Sequence, residues 1–265
     1  ELRPLPNALS TTALATAFVL VLAGAFLLDA ARRPRLRLIQ AAVALAFLVV
    51  ASYELPLQLL RAEPGGWARA TVAVCADLTM GYLTEAVRLD SLRDLREWLR
   101  DVQHRTCWGA APARVVTHPP GPVLAFRAWI ALVERNPALQ RLAGRMYTPE
   151  SGTRGQLLAT ARHVCTTPLA GIHIDAALLS IYLMLLAIPL VVLGTAGLAW
   201  AQLGPRVAAV AACLSAAIPS LVAFVPSIDG WSTVVAVWSL ACWAWAVRKG
   251  SLPGAVLAGA AWGLG

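Results

Sequence analysis

The chain has 265 residues, 58% of them hydrophobic and only 14% charged, with a mean hydropathy of +0.66. A soluble domain carries about a quarter charged residues, so this balance excludes an ordinary soluble enzyme. Cations outnumber acids 22 to 14, giving net +8, and 21 of the 22 are arginine. They gather beside apolar blocks and in one middle region, which points to membrane topology and phosphorylated lipid rather than nucleic acid.

In chain order, the first apolar block is Thr11–Leu28, followed at once by Arg32, Arg33, Arg35 and Arg37. Its length and that basic cluster mark a membrane span, since a cleaved leader would end in small residues. A second block, Leu38–Tyr53, extends toward Leu60 if Glu54 and Pro56 sit at the interface. Residues 61–175 differ: they hold 14 of the arginines and 10 of the acids, among Pro, Gly and polar clusters. Apolar blocks resume at Ala176–Ala199, Val207–Val225, Trp231–Val247 and Leu252–Leu264. These blocks approach the ~20 apolar residues that cross ~30 Å of hydrocarbon.

The expected fold class is therefore all-α, a polytopic transmembrane helical protein with a large extracytoplasmic loop region containing amphipathic helices. Two N-terminal transmembrane helices are expected over 1–60, the loop region over 61–175, and about four transmembrane helices over 176–265. The chain opens at Glu1 without Met and closes inside an apolar run, so it reads as a piece of a longer protein. Cationic loops resist translocation. Placing Arg32–Arg37 inside sends 61–175 outside and returns Arg206, Arg248 and Lys249 to the inside, so every short cationic connection shares one face. The expected location is the cell membrane, crossed several times.

Within the outer region, Glu85–Gln103 has helical periodicity. Val87, Leu92, Leu95, Trp98, Leu99 and Val102 form one stripe, opposite Asp90, Arg93, Asp94, Arg96, Glu97, Arg100 and Asp101. That pattern predicts an amphipathic helix lying at the interface. Arg88 falls inside the apolar stripe, either snorkelling to the headgroups or contacting a ligand. Pro122–Val133 is apolar but too short to span, and is expected as a re-entrant or partly buried helix.

The sharpest local signature is Thr117-His118-Pro119-Pro120-Gly121-Pro122. Its prolines and glycine fix an extended turn from which a helix can start, because Pro tolerates the first helical position. The turn presents His118 where loop meets membrane, able to bind a phosphate or hydroxyl or to orient a carboxylate. The plainer alternative is helix capping with His118 on the surface.

This motif, preceded by Gly81-Tyr82-Leu83-Thr84-Glu85-Ala86, resembles the GT-C superfamily of membrane glycosyltransferases. More narrowly, it is similar to bacterial members related to the protein O-mannosyltransferases and the lipid A aminoarabinose transferases. Pro226-Ser227-Ile228-Asp229 and the Arg248-Lys249-Gly250 turn add to the resemblance, which covers about residues 70–265. Two departures are plain: Asp77 stands alone five residues before Tyr82, and Glu85 lies three after it rather than two.

The resemblance implies transfer of a sugar from a polyprenyl-phosphate donor to an acceptor on the extracytoplasmic side. Asp77 and Glu85 are the candidate catalytic acids, Asp77 preferred, since a carboxylate must take the acceptor's proton and Glu85 could instead cap the amphipathic helix. Arg88 is the leading cation for the lipid phosphate, with Arg93, Arg96 and Arg105 within reach in sequence. Tyr82, His118 and Asp229 complete the substrate-binding set, although Asp229 could equally cap the following helix. His173-Ile174-Asp175 has a two-residue spacing that could serve a divalent cation, but capping by Asp175 is the preferred reading and no metal cofactor is expected. Membrane lipids are the other expected partner, and the sequence leaves oligomeric state open.

Cys213 and Cys242 lie in spans and read as packing residues. A Cys107–Cys165 bridge is expected in the outer region, with Cys75 nearer the membrane. Two other functions compete. A transporter or flippase of a lipid-linked substrate would need charges and broken helices within spans, which these spans largely lack. A non-catalytic membrane protein would leave the motif and outer acids incidental.

Overall fold

The structure is a computed structural model that describes residues 37–63, 65–77, 79–89, 91–107, 121–147, 152–216 and 229–264. The Thr11–Leu28 span, Arg32–Arg35 and the turn bearing His118 lie outside the described residues. Among the described residues there is no strand. The helices are α1 (Arg37–Ala62), α2 (Gly66–Cys75), α3 (Tyr82–Val87), α4 (Leu92–Cys107), α5 (Gly121–Arg135), α6 (Pro137–Met146), α7 (Arg154–Val164), α8 (Gly171–Leu203), α9 (Pro205–Ala216), α10 (Asp229–Lys249) and α11 (Leu252–Leu264). Among the described residues three helices are long and apolar enough to cross a membrane: α1 over Ala42–Arg61, α8 and α10. The α1 helix runs unbroken through Glu54 and Pro56.

The middle region is built of short helices, and local chemistry explains where each stops. Asn136 caps α6, its Oδ1 accepting from the Ala138 N–H at 2.9 Å, and Pro137 occupies the first turn, where a missing N–H costs nothing. Gln140 reaches back to the Val133 and Glu134 carbonyls at 3.0 and 2.9 Å, satisfying the end of α5. Thr153 and Gln156 form a reciprocal capping box at α7.

The continuous amphipathic helix expected over Glu85–Gln103 is instead two helices, α3 and α4. Ser91 causes the break: its N–H donates to Asp94 Oδ2 at 2.7 Å while its Oγ accepts from the Asp94 N–H at 3.2 Å. That exchange starts a new helix. The apolar stripe is divided too, for Trp98 is buried while Leu99 is 46% exposed.

The chain divides into two compact units. One comprises residues 1–62, 184–225 and 229–265; the other, mainly 63–183, contains the candidate acids. In the first, Ala44 and Leu48 of α1, Val192 of α8 and Ala209, Ala212 and Ala216 of α9 form one core, with Cys213 against it. Ala187 and Val191 of α8 pack with Val234 of α10 in another. Cys242 is exposed, so it is not the packing residue expected.

Helices α8 and α10 approach closely because Gly194 leaves room. A Cβ there would stand 2.9 Å from Val237 and 3.0 Å from Trp238, the small-residue device of membrane helix pairs. Ala187 meets Gly230, Leu190 O accepts from Trp238 Nε1 at 2.9 Å, and Ala201 O accepts from Arg248 Nη1 at 3.1 Å. The contacts advance together along both helices, so α8 and α10 run parallel. Their C-terminal ends therefore share one end of the unit, bringing the Arg206 connection and the Arg248–Lys249 turn together. Arg248 also satisfies one of the carbonyls that every helix leaves unpaired in its last turn.

Candidate functional site

In the second unit, α2 stops at Cys75 and a tight turn aims α3. The Ala76 carbonyl gathers the N–H groups of Thr79, Met80 and Gly81 at 3.2, 3.0 and 3.2 Å. Gly81 closes the turn at φ +66°, a left-handed conformation that costs any residue with a Cβ. Asp77 rides on this turn, half-buried. Its N–H donates to the Val164 carbonyl at 3.3 Å, at the end of α7. Its Oδ1 accepts from the Thr84 hydroxyl at 2.6 Å, and its Oδ2 accepts from the Thr166 N–H and hydroxyl, both at 2.7 Å.

Glu85 and Arg88, on α3 and just past it, belong to the same network. The Glu85 side chain is 1% exposed; its Oε1 accepts from Arg88 Nη1 at 2.6 Å and its Oε2 from the Trp98 indole at 2.9 Å. Arg88, 31% exposed, also donates from Nε to Thr167 Oγ1 at 2.7 Å and from Nη2 to Thr166 Oγ1 at 3.0 Å. The Thr166 hydroxyl thus gives its proton to Asp77 and accepts one from Arg88. One connected path runs Asp77–Thr166–Arg88–Glu85–Trp98, joining both candidate acids to the candidate cation. A buried carboxylate is tolerated only with such partners. Glu85 ties α4 to α3 through Trp98 and does not cap α4, the task that Ser91 and Asp94 perform.

Tyr82 sits on α3 with its side chain in the core, 1% exposed. Asp229 opens α10, in the other unit. Arg93 is 85% exposed and pairs with Glu97 at 2.9 Å; Arg96 is exposed. The side chains of Arg105 and His118 lie outside the described residues. Among the described residues no three His, Cys, Asp or Glu side chains gather as a metal would require.

Asp175 is not the cap expected of it. His173 does that work, its Nδ1 accepting from the Ala170 N–H at 3.1 Å. Asp175 is fully buried and receives the guanidinium of Arg154, with Nε to Oδ1 at 2.9 Å and Nη2 to Oδ2, while the Tyr147 hydroxyl donates to Oδ1. Burial, then Asp175's acceptance of its proton and its charge, push the Tyr147 phenol well above the usual tyrosine value. Arg154, Tyr147 and the threonines at 84, 166 and 167 carry no local signal of these roles. Only the unusual Arg-next-to-apolar context of Arg88 hinted that a cation was committed inside.

The cysteines bear on the same strand of chain. Cys165 is a free thiol that donates to the Cys75 carbonyl at 2.9 Å, so the expected Cys107–Cys165 bridge is not formed; the Cys107 side chain lies outside the described residues. Burial and then the nearby Asp77 carboxylate push the Cys165 thiol up to about 11. Two results are expected from following its alkylation against pH. Modification at pH 8 is slow compared with an exposed thiol, and Asp77→Asn speeds it, each unit regained being worth about tenfold in thiolate. Equal rates in both proteins would remove Asp77 as a source of the shift.

No family model, curated protein or solved structure matches the chain.

Proposed function

We propose that this chain is a GT-C-like membrane glycosyltransferase that moves a sugar from a polyprenyl-phosphate donor to an acceptor at the extracytoplasmic face of the cell membrane. The observation that carries the reading is the Thr166 bridge, which holds a half-buried carboxylate and a partly exposed guanidinium one hydroxyl apart. Glycosyl transfer needs that pairing. The acceptor hydroxyl attacks the anomeric carbon and gives its proton to Asp77. The bond from that carbon to the phosphate oxygen breaks, and the polyprenyl phosphate leaves with one more negative charge than it held as a diester. Arg88 offsets that charge, and Glu85, behind it, fixes the guanidinium plane. His118 is proposed to contact the donor or acceptor, and Tyr82 to support α3 from within the core.

One observation favours a non-catalytic reading: each oxygen of Asp77 and Glu85 already accepts a hydrogen bond from within the protein. A single assay separates the two. The chain reconstituted in bilayers with a polyprenyl-phosphate-linked sugar is expected to release polyprenyl phosphate when a hydroxyl acceptor is added. No release with any lipid-linked sugar supplied, from protein that retains its fold, would remove the transferase reading.

A further inference from the structure

We propose that α5 and α6, joined at Asn136, lie along the headgroup–acyl boundary of an anionic bilayer, α5 facing the acyl chains and α6 holding lipid phosphates. The proposal does not depend on the transferase reading. It begins with α5, which carries apolar residues on its buried side and, from Leu124 to Leu132, on its exposed side too. Val123, Phe126, Ile130 and Val133 are buried, at 1%, 4%, 0% and 0% exposure, and pack toward α3. The opposite face carries Leu124 at 40% and Leu132 at 49% exposure, with exposed Ala125 and Ala128 between them. Leu124, Ala128 and Leu132 are spaced by four and fall on one stripe. A helix against water keeps a polar outer face; this one is exposed and apolar from Leu124 to Leu132, with half-buried Arg127 at its flank and exposed Glu134 and Arg135 only at its C-terminal end.

Its depth follows from α8. The 33 residues of that helix rise about 50 Å, against ~30 Å of hydrocarbon, so an end of α8 must stand in the headgroup region. Both ends are polar, Arg206 following the last turn and Asp175, held by Arg154 and Tyr147, lying in the first turns, so the first turns meet one of the headgroup regions. Helix α5 is fastened to that end: Trp129 Nε1 donates to the Ala176 carbonyl at 3.0 Å. At 15 residues, or about 22 Å, α5 cannot cross by itself.

Charge selects the occupant. From Gly121 to Met146 there are four arginines and one acid, Glu134. Arg135, Arg141 and Arg145 are exposed, and the outer face of α6 reads Ala138, Arg141, Leu142, Arg145, with Leu142 at 48% exposure. Exposed leucines interleaved with exposed arginines match a surface that is apolar below and negatively charged above. A protein partner would have to supply acids in the same narrow band.

The test places an environment-sensitive fluorescent residue in turn at Leu124, Leu132 and Leu142 of the full chain. The chain is reconstituted in phosphatidylcholine vesicles with and without phosphatidylglycerol. Quenching by nitroxide on the acyl chains, with shielding from aqueous iodide, is expected at all three positions. Native mass spectrometry is expected to find phosphatidylglycerol retained over phosphatidylcholine, and the combined Arg135→Gln, Arg141→Gln and Arg145→Gln variant to reduce that preference by at least an order of magnitude, about fivefold per charge. Iodide quenching without lipid quenching would overturn the proposal by placing the face in water. Shielding from both quenchers would overturn it by showing a second copy or another protein there, and an unchanged lipid preference in the triple variant would remove the anionic part.

Discussion

Asp77→Asn is expected to lower sugar transfer by about 10²–10⁴-fold in kcat, the range for loss of a general base, with little change in apparent affinity for the lipid-linked donor. The variant keeps the shape of the side chain. Its amide oxygen can still accept from the Thr166 N–H, but its NH₂ group cannot accept from a hydroxyl, so one of the hydrogen bonds from Thr84 and Thr166 is lost. That structural loss is about 1 kcal/mol, too small to unfold the unit, so folding and catalysis can be read separately.

Glu85→Gln is the informative companion. Gln can still accept from the Trp98 indole, but Arg88 loses its carboxylate and keeps only Thr166 and Thr167. If Glu85 acts by positioning Arg88, the loss falls mainly on donor KM, about tenfold, and the pH profile of kcat stays that of the parent. Full activity in Asp77→Asn, whatever Glu85→Gln does, would take the base away from Asp77.

The second large effect is on stability. Arg154→Met is expected to destabilise the protein by about 3 kcal/mol, at the lower end of the cost of breaking a buried pair. The low end applies because Arg154 is 48% exposed, so water already screens part of the interaction, and because Tyr147 stays to donate. The partners are not equivalent. Asp175 is completely buried, so losing the arginine strands a charge with no access to water, whereas Asp175→Asn leaves Arg154 free to turn outward. The asparagine variant is therefore expected to cost less, about 1–2 kcal/mol. Denaturant titration in detergent micelles measures both, and Arg154→Met matching the parent would show that the pair contributes nothing. The site should feel this change too. Arg154 and Asp175 lie at opposite ends of the segment bearing Thr166 and Thr167, so loosening their pair frees the loop that holds Asp77 and Arg88.

Part of this was legible in residue order. Hydropathy is a sum over neighbours in sequence, so the apolar blocks at Leu38–Tyr53, Ala176–Ala199 and Trp231–Val247 marked helices that are long and apolar enough to cross a membrane. Helix ends governed by local chemistry could be read the same way, and the start of α5 after Pro119 and Pro120 was. The break at Ser91 is equally local, set by the Ser91–Asp94 capping pair, but apolar periodicity by itself runs straight across it. The sequence also picked out Asp77, Glu85 and Arg88 as chemically notable residues.

What those residues bond to was decided only by the fold. Thr166 lies 89 positions from Asp77 and 78 from Arg88, and no propensity or spacing rule reaches so far. A carboxylate meets its donors by where helices pack, and Asp175 shows it: with its surroundings unknown it reads as a helix cap, while the folded unit buries it against Arg154 and Tyr147. Sequence by itself determined the class of structure, because burial in lipid and helix periodicity are properties of contiguous residues. Tertiary structure decided which charges are paired, because pairing depends on distances that chain order does not contain.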